Sequence, residues 1–229
     1  MDKTIVIHQP DFVPYLGFFH RLLEADHFII LDHVKISKNG WVHRDKIKAA
    51  TGELWITLPV KKINGAPLIY DAKIEKNKLF YKLPRMIEAS YRKAKYFNEI
   101  YPALENLFEM GTDSLIEFNM AFIMQLCNWF DIKVSISFSS KMYIASKKSE
   151  MNAELVKKLG GNVYLSGVGA STYHDQEPFD SLDIDVKWHK FDHPIYNQMY
   201  NGFIPNLSSL DILFNCGISR SKELLRGKI

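Results

Sequence analysis

The stretch "TIVIHQPDFVPYLGFFHRLLEADHFIILD", residues 4–32, carries the pattern from which the fold is read. Thr4 to Ile7 is short, apolar and β-branched, as a strand buried on both faces should be, and it stops at His8-Gln9-Pro10. Leu16, Phe19, Leu22 and Leu23 then recur at helical spacing. Pro14 suits the first turn of that helix, where its missing N–H costs nothing. Phe28 to Leu31 is a second apolar run, closed by Asp32. Strand, helix and strand within about thirty residues match a βαβ unit, whose two strands run parallel. The fold class expected is therefore α/β: a mainly parallel, Rossmann-like sheet with helices on both faces. His8, Gln9 and Asp32 would then sit at the carboxyl ends of strands, where open α/β sheets bind ligands.

Outward from this unit, "KISKNGWVHRDKIKAATGELWITLPVKK", residues 35–62, has turn signals at Asn39-Gly40 and Thr51-Gly52 and a strand-like "ELWITLPV". From about residue 79 to residue 131 the pattern is helical, with a break at Gly111-Thr112-Asp113 that makes Asp113 the expected N-cap of the second half. The βα rhythm then returns. "KVSISF" reads as a buried strand, and "NVYLSG" as another strand after a helix that ends at Gly160-Gly161. "DIDVKWHKF" reads as one more strand, and "SSLDILFNCG" as a short helix starting near Ser208 or Ser209. No linker or repeat divides the chain, so one domain over 1–229, with a helical insertion at about 79–131, is the simplest account.

Composition narrows the function classes. The 229 residues are 47% hydrophobic and 13% aromatic, enough for a sizeable core. A net charge of +3 on 29 basic and 26 acidic residues implies no polyanion-binding stripe, so DNA is not an expected partner. Cys127 and Cys216 lie in apolar surroundings without metal-ligand spacing, as in a reducing compartment. With no signal peptide and no apolar run of about 20 residues, a cytoplasmic protein without a membrane span is expected.

Two readings stand beside each other at each candidate site. Lys38 and Arg44 flank Trp41, either as an anion clamp with an aromatic shelf or as a solvated hairpin. In "SGVGASTYHD", Gly167 and Gly169 allow close backbone approach, and Ser171 and Thr172 add donors for an anion, with Tyr173 and Asp175 alongside. The bland alternative is a tight turn. The pairs His27/His33 and His189/His193 form neither a His-Glu-x-x-His helix nor a Cys/His set, so no metal is expected. His8 is either a proton-transfer or phosphate-binding group, or a histidine bonded to a loop carbonyl.

Four blocks taken together carry a resemblance: "HQPDFVPYLGFFHRLLEADHFIILDHVKISKNGWVHRDKIK", "WITLPV", "YLSGVGASTYHD" and "HPIYNQMYNGFIPNLSSLDILFNCG". The chain from about residue 5 to residue 217 resembles the WbqC-like family of bacterial proteins. The resemblance implies an association with O-antigen and related surface-glycan clusters, and a transferase that attaches an amino acid or other acyl group, such as glycine, to the amine of a nucleotide-linked amino sugar. It implies ATP as a candidate cosubstrate and a charged tRNA as an alternative donor. The positions matching the family pattern are His8, Gln9, Pro10, Pro14 and Gly17, then Asp26, Asp32, Lys38, Trp41 and Arg44. They continue through Gly167, Tyr173 and Asp175 to His193, Pro194, Tyr196, Gln198, Ser208, Asp211, Asn215 and Gly217. On this reading His8 and Asp32 are catalytic, and the substrate-binding set includes Gln9, Lys38, Trp41, Arg44, His193, Tyr196, Gln198, Asp211 and Asn215. The first unit is also distantly similar to the nucleotidylyltransferase superfamily, which includes pantothenate synthetase, although "PYLGFF" stands where that superfamily has its His-x-Gly-His signature. A non-catalytic subunit that holds a sugar nucleotide for a glycan-assembly complex is the alternative function.

Overall fold

The structure, a computed structural model, describes residues 2–62 and 65–227. Its elements in chain order begin with β1 (Thr4–His8), α1 (Leu16–Leu23), β2 (His27–Ile30), β3 (Arg44–Ala49) and β4 (Gly52–Thr57). Three helices follow: α2 (Lys78–Tyr91), α3 (Phe97–Phe108) and α4 (Leu115–Phe130). The chain ends with β5 (Ser135–Phe138), α5 (Lys148–Lys158), β6 (Val163–Gly167), α6 (Glu177–Asp180), β7 (Asp185–His189) and α7 (Leu210–Leu225). Contacts divide these elements between two compact units. One comprises residues 1–9, 20–33 and 133–192, and the other residues 10–19, 34–132 and 193–229.

The first unit is the Rossmann-like α/β unit. Its five strands are all parallel in the order β5-β2-β1-β6-β7. The opening βαβ reading holds, since Ile5, Val6, Ile7 and His8 pair in register with His27, Phe28, Ile29 and Ile30. Ile5, Val6, Phe28, Ile29 and Ile30 are fully buried. Each such side chain contributes roughly 1.5–3 kcal/mol of transfer free energy, which commits this stretch to the middle of a sheet. Asp26 fastens the start of β1 to the approach to β2, its carboxylate accepting from the Thr4 N–H at 2.8 Å. Arg21 on α1 lies against Gly167 at the end of β6, and Phe179 of α6 stacks on Tyr164 of β6 at 5.2 Å.

The second unit has an aromatic core of Phe12, Phe80, Phe108, Phe118 and Phe122, with ring centroids 5.0–6.3 Å apart. β3 and β4 form its antiparallel hairpin, from Arg44 opposite Thr57 to Ala49 opposite Gly52. The helical stretch expected at about 79–131 consists of α2, α3 and α4. Two sequence expectations shift here. The N-cap of α4 is Ser114, whose hydroxyl faces the Glu117 N–H, while the neighbouring Asp113 carboxylate pairs with Lys61 and Lys73, each at 3.1 Å. The helix expected to end near Gly217 continues to Leu225, because Gly217 takes φ 74° and kinks the chain rather than stopping it. A Cβ there would lie 2.6 Å from the Tyr96 ring, so the close approach needs glycine twice over.

Candidate functional site

Strand numbers in the parallel sheet run 3-2-1-4-5 once the five strands are counted in chain order, so the direction of winding reverses between β1 and β6. At such a switch point the loops leaving two adjacent strands diverge and open a crevice outside their carboxyl ends. The residues there are His8 and Gln9 after β1, and Gly167 at the end of β6.

His8 donates from Nδ1 to the Gln9 carbonyl at 3.0 Å. Because that oxygen only accepts, Nδ1 carries the ring hydrogen and Nε2 carries the lone pair. Burial, aided by the Arg21 charge, lowers the imidazole from 6.5 to about 3, against a smaller raising effect of the bond to Gln9. His8 is therefore neutral at physiological pH.

Arg21 gives the switch point its fixed charge and was missed by the sequence reading. It is 7% exposed, and a Cβ on Gly167 would sit 2.8 Å from its Nη1. Gly167 is thus small because a guanidinium packs on its Cα. That packing is a second reason for glycine here, beside the expectation that it lets a ligand approach the backbone. Gly169 has open space around it, and Val168–Tyr173 winds into a 3-10 turn closed by the Ser171 hydroxyl donating to the Val168 carbonyl at 2.8 Å. Thr172 is exposed, and Tyr173 and Asp175 line a cleft with Lys147, Lys148 and Glu177.

Next to Gly167, in register across β6 and β7, stands His189. Its Nε2 faces His20 Nδ1 of α1 at 2.7 Å, and Glu24 brings a carboxylate oxygen to 3.4 Å from His20 and 3.8 Å from His189. Burial, then His20 and Arg21, lower His189 to about 4. No spacing in the sequence pointed to this group, since 169 residues separate the two histidines.

Asp32, expected to be catalytic, is 2% exposed at the end of β2. Its carboxylate accepts from the Ser139 hydroxyl at 2.9 Å, the Ser140 N–H at 2.8 Å and the Ser140 hydroxyl at 2.6 Å. These bonds tie the end of β2 to the turn after β5, and His33 Nδ1 meets the same Ser139 hydroxyl at 2.6 Å.

The other expected site residues lie in the second unit, in two places. Trp41 stacks on Trp55 at 5.5 Å, and both are exposed. Arg44 lies 4.3 Å over the Trp55 ring and donates to the Asn39 carbonyl at 2.8 Å, so the cation belongs to Trp55, which the sequence reading had treated only as a strand residue. Lys38 is exposed. The last block forms a buried network instead. The Asp211 carboxylate accepts from the Tyr91 hydroxyl, the Tyr196 hydroxyl and the Gln198 amide, each at 2.8 Å. The Gln198 oxygen accepts from Lys48 Nζ at 3.1 Å and from the Ile204 N–H at 2.9 Å, and Lys48 also donates to the Gly202 carbonyl. Asn215 accepts from the Met199 N–H at 2.9 Å, and His193 donates to the Pro194 carbonyl at 2.9 Å with its ring stacked on Tyr196. These side chains spend their hydrogen bonds on one another and on the backbone of the 193–207 segment, as a scaffold for that segment would.

No described helix is long and apolar enough to cross a membrane. A model of the WbqC-like protein family matches residues 9–223. The uncharacterized protein Rv1507c of Mycobacterium tuberculosis is 32% identical over 218 residues, which cover 94% of each chain. No solved structure matches.

Proposed function

The chain belongs to the WbqC-like protein family, and from that membership and the switch-point geometry we propose a transferase of bacterial surface-polysaccharide biosynthesis, working in the cytoplasm. It attaches an amino acid or other acyl group, glycine being the first candidate, to the amine of a nucleotide-linked amino sugar. One observation carries the reading: a buried arginine and a neutral histidine stand together with Gly167 where a Rossmann-like sheet opens its crevice.

Arg21 would hold the diphosphate, for which a planar guanidinium is suited. His8 would take a proton from the sugar amine. At about 3 its imidazole is a weak base, and the Arg21 charge contributes to that. A bound diphosphate would offset this charge and raise the basicity of Nε2 when substrate is present. In the step itself the amine nitrogen attacks the activated acyl carbon and an amide forms. The adenylate or tRNA oxygen leaves with its electron pair, and the proton goes to His8 Nε2.

The test is incubation of the purified protein with a dTDP-linked amino-hexose, ATP and glycine, or with glycyl-tRNA, followed by mass spectrometry of the sugar nucleotide. A product heavier by one glycyl unit, lost in His8→Ala while binding remains, supports the transferase. Sugar-nucleotide binding without any product, across a panel of amino acids, would make the protein a binding subunit. An absence of sugar-nucleotide binding would overturn both.

A further inference from the structure

The sequence reading expected no metal, but it could judge only histidines close in sequence. The fold joins His20 and Glu24, one helical turn apart, to His189 at the end of β7, within the same compact unit. Each residue offers one ligand atom, and the three atoms lie within 4.8 Å of one another.

The spacings bracket those of a coordination sphere. A tetrahedral zinc ion with ligands at 2.0–2.2 Å sets those ligands roughly 3.3–3.5 Å apart. The two pairs involving Glu24 stand at 3.4 and 3.8 Å, and the two imidazoles at 2.7 Å. An ion would need the ring nitrogens to part by roughly 0.6–0.8 Å and the Glu24 oxygen to close on His189 by roughly 0.3–0.5 Å, both side-chain adjustments. At 2.7 Å, facing ring nitrogens share one hydrogen between them, the arrangement that an ion replaces.

The surroundings are uneven in a way that suits a working site. The His189 side chain is 5% exposed, and Phe191 packs its ring 5.1 Å from that of His20, so one side is dry. Glu24 is half exposed, so the other side opens to solvent. Two histidines and a glutamate with an open fourth position are a donor set of catalytic zinc sites, whereas closed structural sites use four protein ligands. Arg21, next in sequence to His20, works against a cation here, and the Glu24 charge offsets it. The same arginine favours an anionic oxygen in the open position.

We propose that His20, Glu24 and His189 bind one divalent transition-metal ion of the zinc type, leaving a coordination position at the carboxyl edge of the sheet for an anionic oxygen ligand. The inference does not rest on the transferase reading.

The full-length protein, stripped with chelator, would be titrated with zinc by calorimetry and with cobalt by visible absorption. One equivalent of zinc and the intense d–d bands of tetrahedral cobalt are expected. His189→Ala should abolish the bands, and Glu24→Gln should weaken zinc binding at least tenfold. Because Glu24 is half exposed, its variant keeps the fold intact, which circular dichroism would verify, and so it remains decisive if His189→Ala fails to fold. Absence of zinc binding by the wild type, or equal binding by wild type and Glu24→Gln, would overturn the site. Neither result bears on whether the protein transfers an acyl group.

Discussion

Arg21 fills the space that a side chain on Gly167 would need, and the backbone there, at φ −73°, would accept any residue. Gly167→Ala is therefore a clean probe of the cation: the added methyl meets the far end of a flexible side chain. Stability should change by less than about 1 kcal/mol, within the usual range for a tolerated substitution. The thermal shift given by a nucleotide sugar should fall sharply as the guanidinium is pushed from its position. An unchanged ligand shift would remove Arg21 from the phosphate-binding role. At this same scale His8 was legible, because a histidine closing a buried strand needs a reason. Arg21 was not, because an arginine in a helix is ordinary until its neighbour across the sheet is known.

Among the elements, the hairpin β3–β4 and the helices α2 and α7 meet around one buried carboxylate, Asp211, and one buried cation, Lys48, 1% exposed. Tyr91 on α2 links them, its hydroxyl donating to Asp211 at 2.8 Å and accepting from the Lys48 N–H at 3.0 Å. Tyr91→Phe removes that hydroxyl and leaves a buried N–H and a carboxylate oxygen short of a partner. A loss of about 3 kcal/mol is expected in urea denaturation, since each unsatisfied buried group costs about 1–3 kcal/mol. A loss below about 1 kcal/mol would mean that the network holds the fold less than its burial implies. The elements themselves were mostly legible, from periodicity and glycine placement. Their errors came where tertiary contact overrules a local signal, as at Gly217, where the Tyr96 ring packs against the kink and the helix resumes beyond it.

For the whole molecule, groups whose titration opposes one another set the pH profile. His8, lowered to about 3 chiefly by burial, binds its proton more readily in the unfolded chain, so its contribution is present above 6.5 and is lost as pH falls from there towards 3. His27, His43 and His193 are lowered by burial as well and act in the same direction. Asp45 is the reverse. Burial pushes it up to about 8, with Asp11 adding to the effect and the Lys46 N–H opposing it. Its contribution is present below 3.8 and is lost as pH rises through 8. Asp211, raised by burial, adds in that direction. Stability should therefore peak near pH 6.5 and decline on both sides. Asp45→Asn keeps the oxygen that accepts from Lys46, yet cannot ionise. Its stability in urea should fall less between pH 6.5 and 8.5 than that of the wild type, by more than about 1 kcal/mol for a shift of this size. Parallel declines in the two proteins would show that Asp45 is not the titrating group.

The parallel sheet, its helices and the strand ends that carry His8, Asp32 and Gly167 were determined by the sequence alone, because buried strands and amphipathic helices write their periods into consecutive residues. Which residues gather at those ends was decided only by tertiary structure. The order 3-2-1-4-5 places β1 beside β6, and β6 beside β7, and so sets Arg21 on Gly167 and His20 against His189. Tertiary structure likewise leaves Asp211 and Gln198 bonded to each other, and Asp32 tied to Ser139 and Ser140. Residue type and spacing report what a side chain is able to do. Whether it is spent on a neighbour or left facing a crevice depends on strands far apart in the chain, whose pairing is settled by the packing of the whole.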